Sequence, residues 1–373
     1  MDLLAVALAG VHFALPLAYY SYAKAKWLPR PWNVKIDENY KPKVVVIVPT
    51  YNEGLTIRDK LNNLYEQNYP RELFEIIVVD SASEDGTAEK VREWGKEHPD
   101  VNLKLLEEPV RRGMNPALNF ALKHISKDVE IIIFTDADSY WPPDALRSVV
   151  KYFADPIVAA VTTNIVLASR EGLRRKEEMG ENVYRSYYNN LRVSESKLHS
   201  TPVHNGALVA FRFRFIRKIN GIPEFTGNND STPASIIAFM GYRAIQISDV
   251  TTVELLARNN FLRKVRRAQH LLLSFLKTKR YAKKLGIYVK SPFDTIWRIE
   301  WWLHVINPWL LVASLSFLIF NLVFYGSVTA LVLIGAGLIP LMLKAYRAWI
   351  MQQVYLIIAA VRNLWTREIM WSK

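Results

Sequence analysis

The sequence predicts an α/β domain, a mostly parallel sheet with flanking helices, held between apolar helices suited to a membrane. Three observations predict it. Between about Lys43 and Val250, short β-branched runs alternate with amphipathic helical segments, the pattern of parallel strands joined by crossover helices. Nearly uninterrupted apolar stretches stand towards both ends of the chain. Polar, acid-bearing residues follow directly on several strand runs, at the sheet edge where open parallel sheets hold their ligands.

Taken in order, the first element is the apolar run Leu3 to Tyr20. Asp2 precedes it and Lys24, Lys26 and Arg30 follow it, the reverse of the charge order in a secretory signal. An uncleaved anchor over 1–22 is therefore expected, with the chain beyond it on the cytoplasmic side. The α/β domain is expected over 40–255. Val44 to Val48, Glu75 to Asp80, Val101 to Leu106 and Glu130 to Thr135 read as strands, and Leu55 to Gln67, Thr87 to Glu97 and Pro116 to Ile125 as the helices between them. From Asn259 to Leu285, Phe261, Leu262, Leu271, Leu272, Leu273, Phe275 and Leu276 mix with Arg263, Lys264, Arg266, Arg267, Lys277, Lys279 and Arg280. Such a helix suits the headgroup plane, so amphipathic interface helices are expected over 256–300. Val305 to Tyr325 and Gly326 to Leu343 are expected to be two transmembrane helices within 301–344, and Lys344 with Arg347 returns the chain to the cytoplasm. Trp349 to Val361 is apolar but short and is followed by Arg362, Arg367 and Lys373, so 345–373 is expected to be an interfacial or re-entrant helix and tail.

Composition narrows the function. The chain has 373 residues, of which 50% are hydrophobic, and no cysteine, which removes disulfides, thiolate metal sites and cysteine nucleophiles. The net charge of +13 fits membrane topology and anionic headgroups; no basic, aromatic-interleaved nucleic-acid module accompanies it. A multi-pass protein of the cell membrane with a cytoplasmic domain is expected. Abundant Lys, Glu and Arg without Cys is also a thermophile's composition.

The chemistry-bearing residues lie after the strands. Asp136 and Asp138 can hold one hard divalent cation and, through it, two phosphate oxygens; alternatively, with Pro142-Pro143-Asp144 just beyond, they only form a turn before a helix. Asp80 can accept hydrogen bonds from a nucleobase or close an Asx turn into the helix at Thr87. Arg111-Arg112-Gly113 suits a diphosphate or is a surface pair. One sheet edge collecting nucleotide- and metal-competent groups from several strands is what favours the ligand readings.

On these residues the sequence resembles the inverting glycosyltransferase family 2 with its GT-A fold, in particular the membrane-bound branch of cellulose and hyaluronan synthases and simpler relatives. The resemblance covers Val44 to Leu276. Its motifs are Val48 to Glu53 (Val-Pro-Thr-Tyr-Asn-Glu), Val78 to Thr87 (Val-Val-Asp-Ser-Ala-Ser-Glu-Asp-Gly-Thr), Ala117 to Asn119 (Ala-Leu-Asn) and Asp136 to Asp138 (Asp-Ala-Asp). It implies that Pro49, Thr50, Tyr51, Glu53, Asp80, Ser83, Arg112, Gly113 and Asn119 form the donor side, with Asp136 and Asp138 binding the diphosphate through Mg²⁺ or Mn²⁺. The family's catalytic base stands eleven residues before a Gly-Tyr pair, and Asp230 has that spacing to Gly241-Tyr242. His204, Asn205 and Gly206 resemble the acceptor-side segment, where glycine admits substrate to the backbone.

Three departures qualify the match. Asn229 stands before the implied base, where an acid is usual, and Met114 follows Arg112-Gly113, where Lys is common. The Gln-x-x-Arg-Trp motif of processive synthases aligns with Lys264-Val265-Arg266-Arg267-Ala268, which keeps an arginine, Arg267, on the acceptor side and lacks the tryptophan platform. The resemblance thus implies single addition of a sugar from a nucleotide diphosphate donor to a lipid or lipid-linked acceptor among membrane lipids, with uridine favoured in the donor. A processive polysaccharide synthase and an inactive sugar-nucleotide-binding subunit are the alternatives.

Overall fold

A computed structural model describes residues 2–168, 175–255 and 260–366. The first helix, α1 (Asp2–Lys26), is followed by β1 (Val44–Thr50), α2 (Ile57–Tyr65), β2 (Phe74–Ser81), α3 (Thr87–Glu97), β3 (Asn102–Glu108), α4 (Met114–Leu122) and β4 (Ile131–Phe134). These strands and helices match the expected alternation within a few residues, because β-branched runs such as Val44 to Val48 are buried on both faces of the sheet. A short β5 (Ser139–Tyr140) and α5 (Ala145–Val150) lead to β6 (Val158–Ala168) and α6 (Arg175–Leu198); β7 (Val209–Arg212), α7 (Phe213–Lys218), α8 (Ser231–Phe239) and β8 (Arg243–Leu255) complete the domain.

The eight strands form one sheet in the order β3-β2-β1-β4-β7-β6-β8-β5. The β3-β2-β1-β4 half is wholly parallel, and β7 inserts antiparallel between β4 and β6. Apolar side chains pack on both faces: α2, α3 and α5 cover one, and α4, α7 and α8 the other. The register sets Thr50 beside Asp80 and Ser139 beside Glu254, so these ends of distant segments lie along one edge.

Beyond the sheet run α9 (Asn260–Lys284), α10 (Phe293–Trp301), α11 (Asn307–Tyr325), α12 (Val328–Leu338) and α13 (Lys344–Arg362). Among the described residues two helices are long and apolar enough to cross a membrane: α1, and the 33-residue unit Phe293–Tyr325 made by α10, a π turn and α11. They pack together through His12 against the Asn307 carbonyl at 2.9 Å and Ser314 donating to Ala5 at 2.8 Å. The stretch Gly326 to Leu343, expected as the second of two spans there, is not one straight helix and reaches the length and apolarity of a span only when paired with α13 across a bend. Within it α12 has 11 residues, roughly 16 Å of helix against a hydrocarbon core of about 30 Å, and the chain bends by 110° into α13. Pro340 in the turn after α12 ends the helix.

The basic stretch also differs from expectation. Val265, Ala268 and Leu272 of α9 are buried against Tyr355, Leu356 and Ala359 of α13, and Phe275 enters the core beneath the sheet. Its apolar face is spent on protein contacts, with Phe261, Leu262 and Leu276 left exposed. The same contact absorbs the apolar face of the Trp349 to Val361 segment.

Candidate active site

The nucleoside end is built by the turns after β1 and β2. Asp80, buried at the end of β2, accepts from Thr50 Oγ1 at 3.0 Å, from Ser83 Oγ at 2.6 Å and from Ser83 N at 3.0 Å. A carboxylate has about four lone-pair directions, so one remains on Oδ2. Asn52 N donates to Ser83 Oγ at 2.9 Å and Glu84 N to Asn52 Oδ1 at 3.0 Å, knitting the two turns together. Asn52 and Ala82 hold φ of 53° and 56°, a left-handed backbone that non-glycine residues adopt only when the surroundings enforce it. Glu53 accepts from Thr56 Oγ1 at 2.7 Å, and the Arg111 guanidinium lies 3.7 Å over the Tyr51 ring. Pro49 is part of β1 in register with Val79.

Two expected donor contacts turn elsewhere. Arg112 points outward, 57% exposed, and pairs with Glu108 at 2.6 Å. Asn119 is a latch between helix and loop: its Nδ2 donates to the Ile222 carbonyl at 2.9 Å and its Oδ1 accepts from Ile222 N at 2.7 Å. Gly113, at φ 107° and ψ 173°, occupies backbone space open essentially to glycine alone and starts α4.

The acidic pair lies where β4 ends. Burial, together with the neighbouring Asp138 and Glu254 carboxylates, pushes Asp136 up to about 8, while Arg267 and Arg263 pull against the rise. Burial raises Asp138 as well, and Arg263 opposes it from 3.5 Å. Gly206 fixes the geometry opposite: a Cβ placed there would lie 3.3 Å from Asp136 Oδ2 and 3.8 Å from Asp230 Oδ2. Asp136 and Asp230 therefore face one another across the space a side chain would fill. Asp230 caps α8, accepting from the Ser231 amide and, at 3.0 Å, from its hydroxyl; burial raises it, and those bonds restrain the rise. His204 N donates to Ser231 Oγ at 2.9 Å and Asn205 Nδ2 to the Thr163 carbonyl at 2.7 Å, fixing the segment that carries Gly206. Burial and the Arg192 charge hold His204 down to about 3, so it is neutral.

Arg267 lies near the acidic pair and also borders a cavity lined by His204, Asn205 and Asp230. With Arg185 and Arg263 it converges on Glu254, which is buried at the end of β8; Arg185 reaches it at 3.0 Å and Arg263 at 2.5 Å. Burial alone would raise Glu254, but the three guanidiniums hold it far below the usual carboxylate range. Sequence reasoning missed Glu254, although it too is an acid closing a strand. It also missed Lys60, which is fully buried and donates to Thr135 Oγ1 at 2.8 Å and the Ser139 carbonyl at 2.6 Å, bracketing the acidic pair. Its place on the apolar stripe Ile57, Lys60, Leu61, Leu64 was the available signal.

Among the described residues no three His, Asp or Glu side chains cluster as a complete metal cage. Asp136 and Asp138 fit a cation completed by ligand oxygens: both are hard donors, and both are strained by mutual repulsion that a cation relieves.

An open sheet carrying this edge, seen beside its relatives, defines a glycosyltransferase. The Glycosyl transferase family 2 profile matches residues 45–219. The mannosyltransferase PcManGT from Pyrobaculum calidifontis, solved in complex with GDP-Man and Mn²⁺, is 43% identical, with 98% of this chain and 99% of that one covered and a TM-score of 0.86. The chain belongs to glycosyltransferase family 2. It is also 27% identical over 204 residues to the poly-β-1,6-N-acetyl-D-glucosamine synthase of Staphylococcus epidermidis, across 54% of this chain and 47% of that one. A dolichyl N-acetyl-α-D-glucosaminyl phosphate 3-β-D-2,3-diacetamido-2,3-dideoxy-β-D-glucuronosyltransferase of Methanococcus voltae is 31% identical over 110 residues, 30% of this chain and 33% of that one. The matches thus span about half or less of these two curated relatives.

Proposed function

We propose that the protein is an inverting, divalent-cation-dependent hexosyltransferase that adds one sugar from a guanosine diphosphate donor to a lipid-presented acceptor at the cytoplasmic face of a membrane. The facing of Asp136 and Asp230 across Gly206 carries this reading, because it sets a cation-competent carboxylate opposite a half-buried base. Guanosine replaces the uridine favoured by the synthase resemblance, since the relative matched over its full length was solved with GDP-Man and Mn²⁺. The membrane placement is supported by α1 and Phe293–Tyr325, and the lipid acceptor by the name of the Methanococcus voltae relative.

Asp136 and Asp138 would hold Mn²⁺ or Mg²⁺, which supplies charge neutralisation of the departing diphosphate. Arg263 and Arg267, beside the pair, add donors for its oxygens. Asp230 Oδ2 takes the proton of the acceptor hydroxyl as its oxygen bonds to the anomeric carbon and the bond to the diphosphate breaks. Burial raises the affinity of Asp230 for that proton, as a base at neutral pH requires. Attack from the face opposite the leaving group inverts the centre, and one base suffices.

Calorimetry of GDP with Mn²⁺ and turnover of GDP-mannose test this together. Asp138→Ala is expected to abolish cation-dependent GDP binding. Asp230→Asn is expected to keep GDP affinity while turnover falls by about 10²–10⁴. Undiminished binding in the first, or undiminished turnover in the second, refutes the corresponding assignment.

A further inference from the structure

The cavity of about 310 Å³ bordered by Asp136, Gly206 and Asp230 continues away from them to the helices that follow the sheet. Arg192 of α6, His204 and Asn205 line it with Glu300 of α10 and Trp349 and Gln353 of α13. We propose that this cavity is a subsite for a sugar ring, so that the lipid acceptor arrives already glycosylated and not as a bare lipid phosphate; the inference rests on the lipid-acceptor reading above.

Its lining is unusual in what it leaves unpaired. His204 Nδ1 and Nε2, Asn205 Oδ1, Arg192 Nε and Gln353 Oε1 are buried with no hydrogen-bond partner among the described residues. Buried polar atoms are nearly always paired, so a cluster of exceptions around one cavity marks a place where a ligand supplies the partners. The chemistry of the orphans selects the ligand. Two of them, on Asn205 and Gln353, are amide oxygens that accept and need donors. A phosphate dianion only accepts and supplies them with none. Sugar hydroxyls both donate and accept, and therefore satisfy these oxygens together with Arg192 Nε.

Tyr187 and Trp349, with ring centroids 6.5 Å apart, give the wall apolar faces for the C–H side of a pyranose.

The test uses the full chain in mixed micelles with Mn²⁺ and radiolabelled GDP-mannose, given either total lipid from the source cell's membranes or farnesyl phosphate. Labelled lipid is cleaved in mild acid and the released glycan sized. A disaccharide or longer is expected from the extract, and no product from farnesyl phosphate. A released monosaccharide, or transfer to farnesyl phosphate, overturns the inference. Donor turnover with no label in any lipid overturns the lipid acceptor and this subsite together, whereas failure to bind GDP removes the glycosyltransferase reading itself. Gln353→Leu and Trp349→Ala place the subsite: each is expected to raise the KM for the extracted acceptor about tenfold, the loss of one or two hydrogen bonds or a stacking wall. GDP affinity is expected to stay within about twofold, as for distant sites. A cavity that merely holds water leaves acceptor KM unchanged in both variants, and that result also overturns the proposal.

Discussion

Glu254 is the residue on which the phosphate side of the cleft turns, since one buried carboxylate fixes three guanidiniums from two helices. Glu254→Gln keeps the shape and removes the charge, leaving Arg185, Arg263 and Arg267 to repel one another. GDP affinity is expected to fall about tenfold while GMP affinity holds, because charge-assisted bonds to the terminal phosphate are what the arginines supply. Titration calorimetry of both nucleotides checks it, and equal losses would show a general collapse of the site. Asp136 yields a prediction with a sign. Its folded value of about 8 stands above the ordinary value of about 3.9. The folded state thus holds a proton that the unfolded chain releases. This contribution to stability is fully present below about pH 4 and is lost as pH rises through about 8. The metal-free protein is expected to melt at progressively lower temperature from pH 5 to pH 8, and Asp136→Asn to flatten that decline in a thermal-unfolding series.

At the scale of elements, α9 does two tasks with its two faces. One carries Arg263 and Arg267 to the acidic pair and the other packs Val265, Ala268 and Leu272 on α13. Leu356→Ala removes the buried α13 partner and is expected to cost about 2–3 kcal/mol, read as a lowered midpoint in thermal unfolding; an unchanged midpoint would show that the contact contributes little. This helix also marks the limit of legibility in the sequence. The strands from Val44 to Thr135 were readable because β-branched runs buried on both faces leave a local signature, and the acids at their ends were readable because the sheet puts strand ends together. For α9 the pattern revealed an amphipathic helix but not its partner, since lipid and a protein helix both accept a leucine face. Arg112 and Asn119 show a related limit: their spacing fits a ligand, and their contacts with Glu108 and Ile222 are not visible in that spacing. Lys60 was invisible to a reading that assigns every lysine to water, although three burial-competent neighbours on the same stripe flagged it.

For the whole molecule, the arrangement of helices predicts sidedness. Asp2 at the start of α1 meets Asn321 and Ser327 at the far end of α11, while the opposite ends of both helices adjoin the α/β domain. The charges Lys24, Lys26 and Arg30 then lie on the domain's side, as the positive-inside tendency requires. Because the chain has no cysteine, single substitutions report topology without background. Tyr325→Cys, at an exposed position in the turn, is expected to react with an impermeant maleimide on intact cells, and Ser126→Cys in the α/β domain only after permeabilisation; the reverse pattern would invert the orientation. One further consequence comes from the bend after α12. The helices on either side of it meet at 110°, a broken span or a re-entrant loop, so the depth at which that corner sits decides which side of a bilayer the end of α13 reaches.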